Sequence, residues 1–142
     1  MNPAVFDQAA FEATALMPRL IATPSFSREE SAAADVLQAY LEEAGLRPKR
    51  KGNNLWCLPT ALTPERPTLL LNAHIDTVRP VSGWQRDPVC PSVEGDNLYG
   101  LGSNDCGGGL VCLLQVFRLL SERKECPWNL IWLASCEEEV SG

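Results

Sequence analysis

One histidine occurs in 142 residues, and it closes an apolar run. The stretch is TLLLNAHIDTV, with His74 at the end of the run and Asp76 two positions later. Imidazole is the commonest metal-ligating side chain and carries protons near neutral pH. In an extended segment residues i and i+2 face the same way. Asp76 can therefore accept a hydrogen bond from one ring nitrogen and leave the other for a metal. A carboxylate in that position selects the tautomer and raises the basicity of the ring. The plain alternative is a half-buried histidine with both nitrogens satisfied.

Two more groups of carboxylates bear on the choice. Glu137, Glu138 and Glu139 follow directly on the apolar segment WNLIWLAS. A charge run is ordinarily a solvated face. At a strand end, however, three adjacent carboxylates repel one another unless a cation or solvent offsets the charge. Asp105 lies in GLGSNDCGGG. A phosphate cradle is a poor reading of that loop, because it lacks G-K-[ST] and places an aspartate where G-x-G-x-x-G ends in glycine. That carboxylate would repel a phosphate. The glycines better serve a tight turn that aims Asp105 at a cation, with an ordinary loop as the alternative. One imidazole with several carboxylates suits zinc, with cobalt or manganese able to substitute.

The elements must bring these residues together. A helix is expected from about Asp7 to Ala22. A second is expected within SFSREESAAADVLQAYLEEAG, with Ser27 as cap and Glu30 completing a capping box. Ala33, Val36, Leu37, Tyr40, Leu41 and Ala44 then form one apolar face, and Gly45 stops the helix. LRPKRK and NLWCLP read as strands joined by GNN. TLLLNAH reads as a fully buried strand, being continuously apolar rather than alternating. SVEGDNLYG reads as a hairpin turning at Gly-Asp-Asn. LVCLLQVFRLLSER reads as a buried helix and WNLIWLAS as another buried strand. Two apolar strands separated by a crossover helix make a parallel βαβ unit, for which a right-handed connection is expected. The fold class is α/β, a partly parallel sheet with flanking helices. Ligands of such sheets collect beyond the carboxyl ends of the strands. His74 and the glutamate run both fall there, and the glycine-rich loop can reach the same rim.

Composition narrows the function classes. A net charge of −6 argues against nucleic acid or an acidic membrane as partner, since both need a basic face. No signal peptide is visible and no apolar stretch is long enough to span a bilayer. The six cysteines show no C-x-x-C pair. They read as reduced thiols of a cytoplasmic protein rather than a disulfide framework.

NAHIDTV, GLGSNDCGGG and SCEEEVSG, in that order, resemble the leading motifs of the dinuclear zinc amidohydrolases. That family includes acetylornithine deacetylase, succinyl-diaminopimelate desuccinylase, aminoacylase and the carboxypeptidase G type enzymes. The segment from Ile75 to Gly109 most resembles the acetylornithine deacetylase-like branch. The resemblance covers nearly the whole chain. It implies that His74 binds one metal and Asp76 orients it. It further implies that Asp105 bridges two metals, Glu139 binds the second, and Glu138 is the general base. The peptide after the bridging aspartate is implied to be cis. Glu137 stands where the family usually has an aspartate and receives no role. The lysine often found soon after the bridging aspartate is absent.

The implied activity is metal-dependent hydrolysis of the amide bond of an N-acyl amino acid, N-acetylornithine or a close analogue. A dipeptidase or desuccinylase is the neighbouring alternative. Two Zn²⁺ would serve a complete site, with Co²⁺ as substitute, and the implied parent protein is a homodimer. On the family pattern residues 1–142 are the leading portion of a zinc-peptidase catalytic domain, without the dimerisation domain or the later ligands. The portion alone is then expected to be inactive. Readings from other classes are a weakly metal-binding, non-catalytic fragment, or a thiol hydrolase using Cys106 or Cys136 with His74.

Overall fold

The computed structural model describes residues 3–59, 62–123 and 125–141. Helix α1 spans Pro3–Ile21 and α2 spans Ser31–Glu43. Strands β1 (Lys49–Lys51) and β2 (Asn54–Cys57) follow, then β3 (Thr68–His74). A small hairpin of β4 (Ser92–Glu94) and β5 (Asn97–Tyr99) precedes a π-helical turn over Ser103–Gly108. Helix α3 (Gly109–Ser121), strand β6 (Asn129–Ser135) and the short α4 (Glu138–Ser141) complete the order. No helix among the described residues is long and apolar enough to cross a membrane.

Four strands form one mixed sheet in the order β1-β2-β6-β3. β1 pairs antiparallel with β2, and β2 antiparallel with β6. β3 and β6 pair in parallel over their whole length, from Thr68 opposite Asn129 to His74 opposite Ser135. The βαβ unit read from the sequence is thus present, with α3 as its crossover. Because the pair is in register, the end of β3 and the end of β6 lie side by side. His74 and the glutamates after Ser135 are neighbours for that reason.

The core lies on one face of the sheet. Leu130, Trp132 and Ala134 of β6, with Leu55 and Cys57 of β2, pack against Leu110, Leu114 and Phe117 of α3. Leu16, Met17 and Ile21 of α1 and Leu37 and Leu41 of α2 close it. The period-four spacing of these helix residues gives each helix a single apolar stripe, and that stripe is buried.

Two expectations fail. The strands are not buried on both faces: exposure alternates along β3 and β6, and Leu70 is 51% exposed. The cause is position. β3 is the edge strand of the described sheet, and α1, α2 and α3 cover only one face, so a continuous apolar run here does not mean two covered faces. The capping box is also absent. α2 begins at Ser31, with Glu30 at the cap position and no side-chain capping bond. Ser27 and Glu30 are used elsewhere. The hairpin forms as read, but its turn is the two residues Gly95 and Asp96, with Asn97 already paired to Glu94.

Candidate metal centre

The rim is assembled by backbone geometry first. The chain at Ser25–Ser27 runs beside Thr77 through a parallel bridge between Phe26 and Thr77. Thr77 donates its N–H to the Ser25 carbonyl at 2.9 Å, and Ser27 donates to the Thr77 carbonyl at 3.2 Å. The turn carrying Asp105 is drawn in by close approach. Gly102 has φ +74°, and a Cβ there would meet the Thr77 methyl at 2.6 Å. A Cβ on Gly107 would meet the Gly102 carbonyl oxygen at 2.6 Å. These glycines therefore let the loop close on the strand end. Within the turn Asp105 and Cys106 leave helical geometry, and the peptide between them is cis.

Asp76 is fully buried, and its carboxylate organises the rim. Oδ2 accepts from the Ser27 hydroxyl at 2.7 Å and from the Glu139 N–H at 3.1 Å, and Oδ1 accepts from the Glu138 N–H at 3.1 Å. The first N–H groups of α4 have no partner within the helix, and this carboxylate takes two of them. Burial by itself would raise the Asp76 pKa. The Ser27 hydroxyl and the two N–H donors outweigh it and hold the carboxyl below its ordinary range.

Glu30 is the second buried carboxylate, with no exposure at all. Its Oε1 accepts from the N–H of Arg28 at 2.6 Å and of Glu137 at 3.3 Å. Its Oε2 accepts from Asn53 at 2.9 Å. Arg28 and Glu137 are the two non-glycine residues at positive φ among the described residues, at 74° and 61°. Such backbone is costly for an L-residue and persists where partners enforce it. Here one carboxylate oxygen anchors both turns, and an Arg28–Glu137 ion pair at 3.5 Å spans them.

His74 is held at the centre. Its Nδ1 lies 2.9 Å from the main-chain oxygen of Asp76, and 3.5 Å from the Asp76 carboxylate. A carbonyl only accepts, so Nδ1 carries the proton. The carboxylate assists by charge, while the carbonyl is the closer acceptor, a division the sequence did not disclose. In neutral imidazole Nε2 is then itself an acceptor. It faces Asp105 Oδ1 at 3.1 Å and Glu138 Oε2 at 3.8 Å. Acceptors this close need a proton or a cation between them. Without a metal the proton takes the place. Burial would lower the His74 pKa, but the bonds to the Asp76 carbonyl and Asp105 and the charges of Asp76 and Glu138 raise it above its ordinary value.

The donor set fits a divalent metal. Two bonds of about 2.0–2.1 Å at a tetrahedral angle place nitrogen and oxygen roughly 3.3 Å apart, close to the 3.1 Å between His74 and Asp105. Glu139 completes the acidic ring. Partial burial, then the charge of Asp105, raises its pKa, with Glu138 and Asp76 adding to the effect and His74 opposing it. A divalent ion would relieve that repulsion.

The five residues singled out from the sequence, His74, Asp76, Asp105, Glu138 and Glu139, thus share one rim. Ser27, Glu30 and Asn53 were not singled out for this role. The Cys136 thiol is engaged by Asn54, which donates to its Sγ at 3.0 Å, and burial, then Glu30 and Glu137, keep its pKa high.

Comparisons with known proteins converge on one family description. A family model described as peptidase family M20/M25/M40 matches residues 70–142. A succinyl-diaminopimelate desuccinylase of Methylobacterium sp. (strain 4-46) is 35% identical over 107 residues, covering 70% of this chain and 27% of the relative. An acetylornithine deacetylase of Edwardsiella ictaluri (strain 93-146) is 32% identical over 139 residues, covering 89% of this chain and 36% of the relative. The fold matches that of the di-peptidase Dug1p of Saccharomyces cerevisiae with a TM-score of 0.67 at 20% identity, covering 96% of this chain and 34% of that one. The chain therefore spans 27% and 36% of the length of these two curated relatives.

Proposed function

The chain belongs to peptidase family M20/M25/M40, and on that premise we propose that it carries the metal-binding rim and general base of an amide hydrolase acting on N-acyl amino acids. Residues 1–142 are read as part of the catalytic domain. The observation that carries the proposal is the facing of two acceptors, His74 Nε2 and Asp105 Oδ1, at 3.1 Å on a rim that also holds Glu138.

In this reading His74, Asp105 and Glu139 would hold the zinc. Cobalt is the substitute. When bound, the metal pair supplies Lewis-acid polarisation of the scissile carbonyl and a lowered pKa for the attacking water. Glu138 is exposed beside His74. It accepts the proton of the attacking water and returns it to the departing amine nitrogen. Asp76 keeps the imidazole in register and, through its bonds to the Glu138 and Glu139 N–H groups, fixes the base relative to the ligand. The six free cysteines support a reducing compartment such as the cytoplasm.

For the acyl group two assignments compete. The motif between Ile75 and Gly109 favours an acetyl substrate such as N-acetylornithine. The 35% identity to a desuccinylase favours a succinyl one. Amine release from N-acetylornithine and from N-succinyl-diaminopimelate, measured with and without chelator on a zinc-loaded protein in which residues 1–142 are joined to the remainder of the catalytic domain, decides. Chelator-sensitive turnover of either supports the reaction class. Chelator-insensitive turnover overturns it in favour of a thiol or other hydrolase.

A further inference from the structure

We propose that Thr77 and Ser25 hold a buried water molecule between them, and that this water fastens the Ser25–Ser27 segment to the strand end that carries His74 and Asp76.

The Thr77 hydroxyl points to it. Thr77 is 9% exposed, and its Oγ1 is buried without a hydrogen-bond partner among the described residues. Buried hydroxyls are nearly always paired, with an ordered water where no protein group is in reach. Rotation of the side chain is opposed by packing. A Cβ on Gly102 would meet the Thr77 methyl at 2.6 Å, so the methyl fills the space that the glycine leaves. A β-branched side chain also has few χ1 settings to choose from.

The surroundings suit a water. Thr77 lines a cavity of about 30 Å³ together with Ser25 and Gly102. That volume admits a water molecule. Ser25 is 7% exposed, and its hydroxyl also makes no hydrogen bond among the described residues. The Gly102 carbonyl accepts from the Gly107 N–H at 2.9 Å and keeps a second lone pair. Two hydroxyls and a carbonyl are within the two to four polar partners that a buried water needs. Met17, Ile21 and Leu110 make the rest of the wall largely apolar. A wholly apolar cavity would stay dry, and the hydroxyls make this one wet.

The water has a place in the rim. The two segments meet through the Phe26–Thr77 bridge and two main-chain hydrogen bonds. Ser27 on one segment donates to the Asp76 carboxylate on the other at 2.7 Å. A water between Ser25 and Thr77 adds a further tie beside that bond. Thr77 is thereby a positioning residue that acts through Asp76.

In a protein that joins residues 1–142 to the remainder of the catalytic domain, a high-resolution crystal structure should show a water within about 3.2 Å of both Ser25 Oγ and Thr77 Oγ1. Thr77→Val keeps the shape of the side chain and removes the hydroxyl. Oxygen-17 relaxation dispersion counts long-lived buried waters. The count should fall by one in Thr77→Val, while Thr77→Ser, which keeps the hydroxyl, should not lower it. Hydrogen exchange at the Ser27 and Thr77 amides should speed up roughly fivefold in Thr77→Val, as expected for about one lost hydrogen bond, with the β2 amides unmoved. A wild-type crystal structure with a dry cavity, or with Thr77 Oγ1 bonded directly to a protein atom, would overturn the proposal. So would a water count unchanged in folded Thr77→Val. If that variant does not fold, Ser25→Ala carries the same expected loss of one water, and an unchanged count there overturns the proposal equally.

Discussion

Nε2 of His74 and Oδ1 of Asp105 face each other at 3.1 Å, and the tautomer set by the Asp76 carbonyl makes both of them acceptors. A contact of that kind is not a resting arrangement for a neutral histidine. It is stable with a proton between the atoms or with a metal there. Proton and metal therefore compete for one place.

That competition has a sign. His74 has a raised pKa in the folded chain. Its proton stabilises the metal-free fold below the unfolded pKa, and that contribution is lost as pH rises through the folded value. Zinc affinity should run the other way, falling about tenfold per pH unit below the folded His74 pKa. Because the chain has a single histidine, its imidazole proton resonances can be titrated without assignment. Asp105→Asn removes an ionised acceptor and should lower the measured pKa. A pKa unmoved by Asp105→Asn would show that the two side chains do not meet.

Asp76 should matter to stability as well as to function. Asp76→Ala strands the Ser27 hydroxyl and the N–H groups of Glu138 and Glu139, and a stranded buried group costs roughly 1–3 kcal/mol. Its folded pKa is depressed, so its contribution is present above the ordinary carboxyl pKa and is lost as pH falls through the folded value. Denaturant unfolding across the acid range should show that loss in the wild-type protein and a flatter acid limb in Asp76→Asn.

Glu138 and Glu139 should separate by phenotype. Glu138→Gln keeps shape and removes the proton acceptor, so in a protein that joins residues 1–142 to the remaining ligands bound metal should persist while kcat falls at least ~10²-fold. Glu139→Gln should weaken one metal site instead. Exchange of these phenotypes would shift the register of the glutamate run by one.

Glu30 supplies a test at a distance from the metal. Glu30→Ala removes the acceptor shared by the two positive-φ residues Arg28 and Glu137. The loop bearing Glu138 should loosen, and zinc affinity should fall by the ~10–100-fold typical of lost supporting bonds. Unchanged affinity in a folded variant would mean that Asp76 alone holds the loop.

Much of this site was legible in the sequence because its chemistry is concentrated at strand ends. A single histidine ending an apolar run, an aspartate two residues on and glutamates after a second run gave the parallel pair and the shared rim. The supporting bonds were not legible. Ser27 reaches Asp76 across 49 positions and Glu30 reaches Glu137 across 107. S-x-x-E just before a helical pattern reads locally as a capping box, and nothing local distinguishes that from a buried anchor. The one-sided burial of β3 and β6 was hidden for a related reason. A continuous apolar run reports hydrophobicity, while the number of covered faces depends on where neighbouring elements pack.

The account stands most directly on zinc binding by His74 and Asp105. Zinc stoichiometry and affinity, measured by competition with a chromophoric chelator at neutral pH, should show tight binding once residues 1–142 are joined to the remaining ligands of the catalytic domain. His74→Ala and Asp105→Ala should each lose it while remaining folded by circular dichroism. Wild-type stoichiometry and affinity retained in both variants would contradict the account.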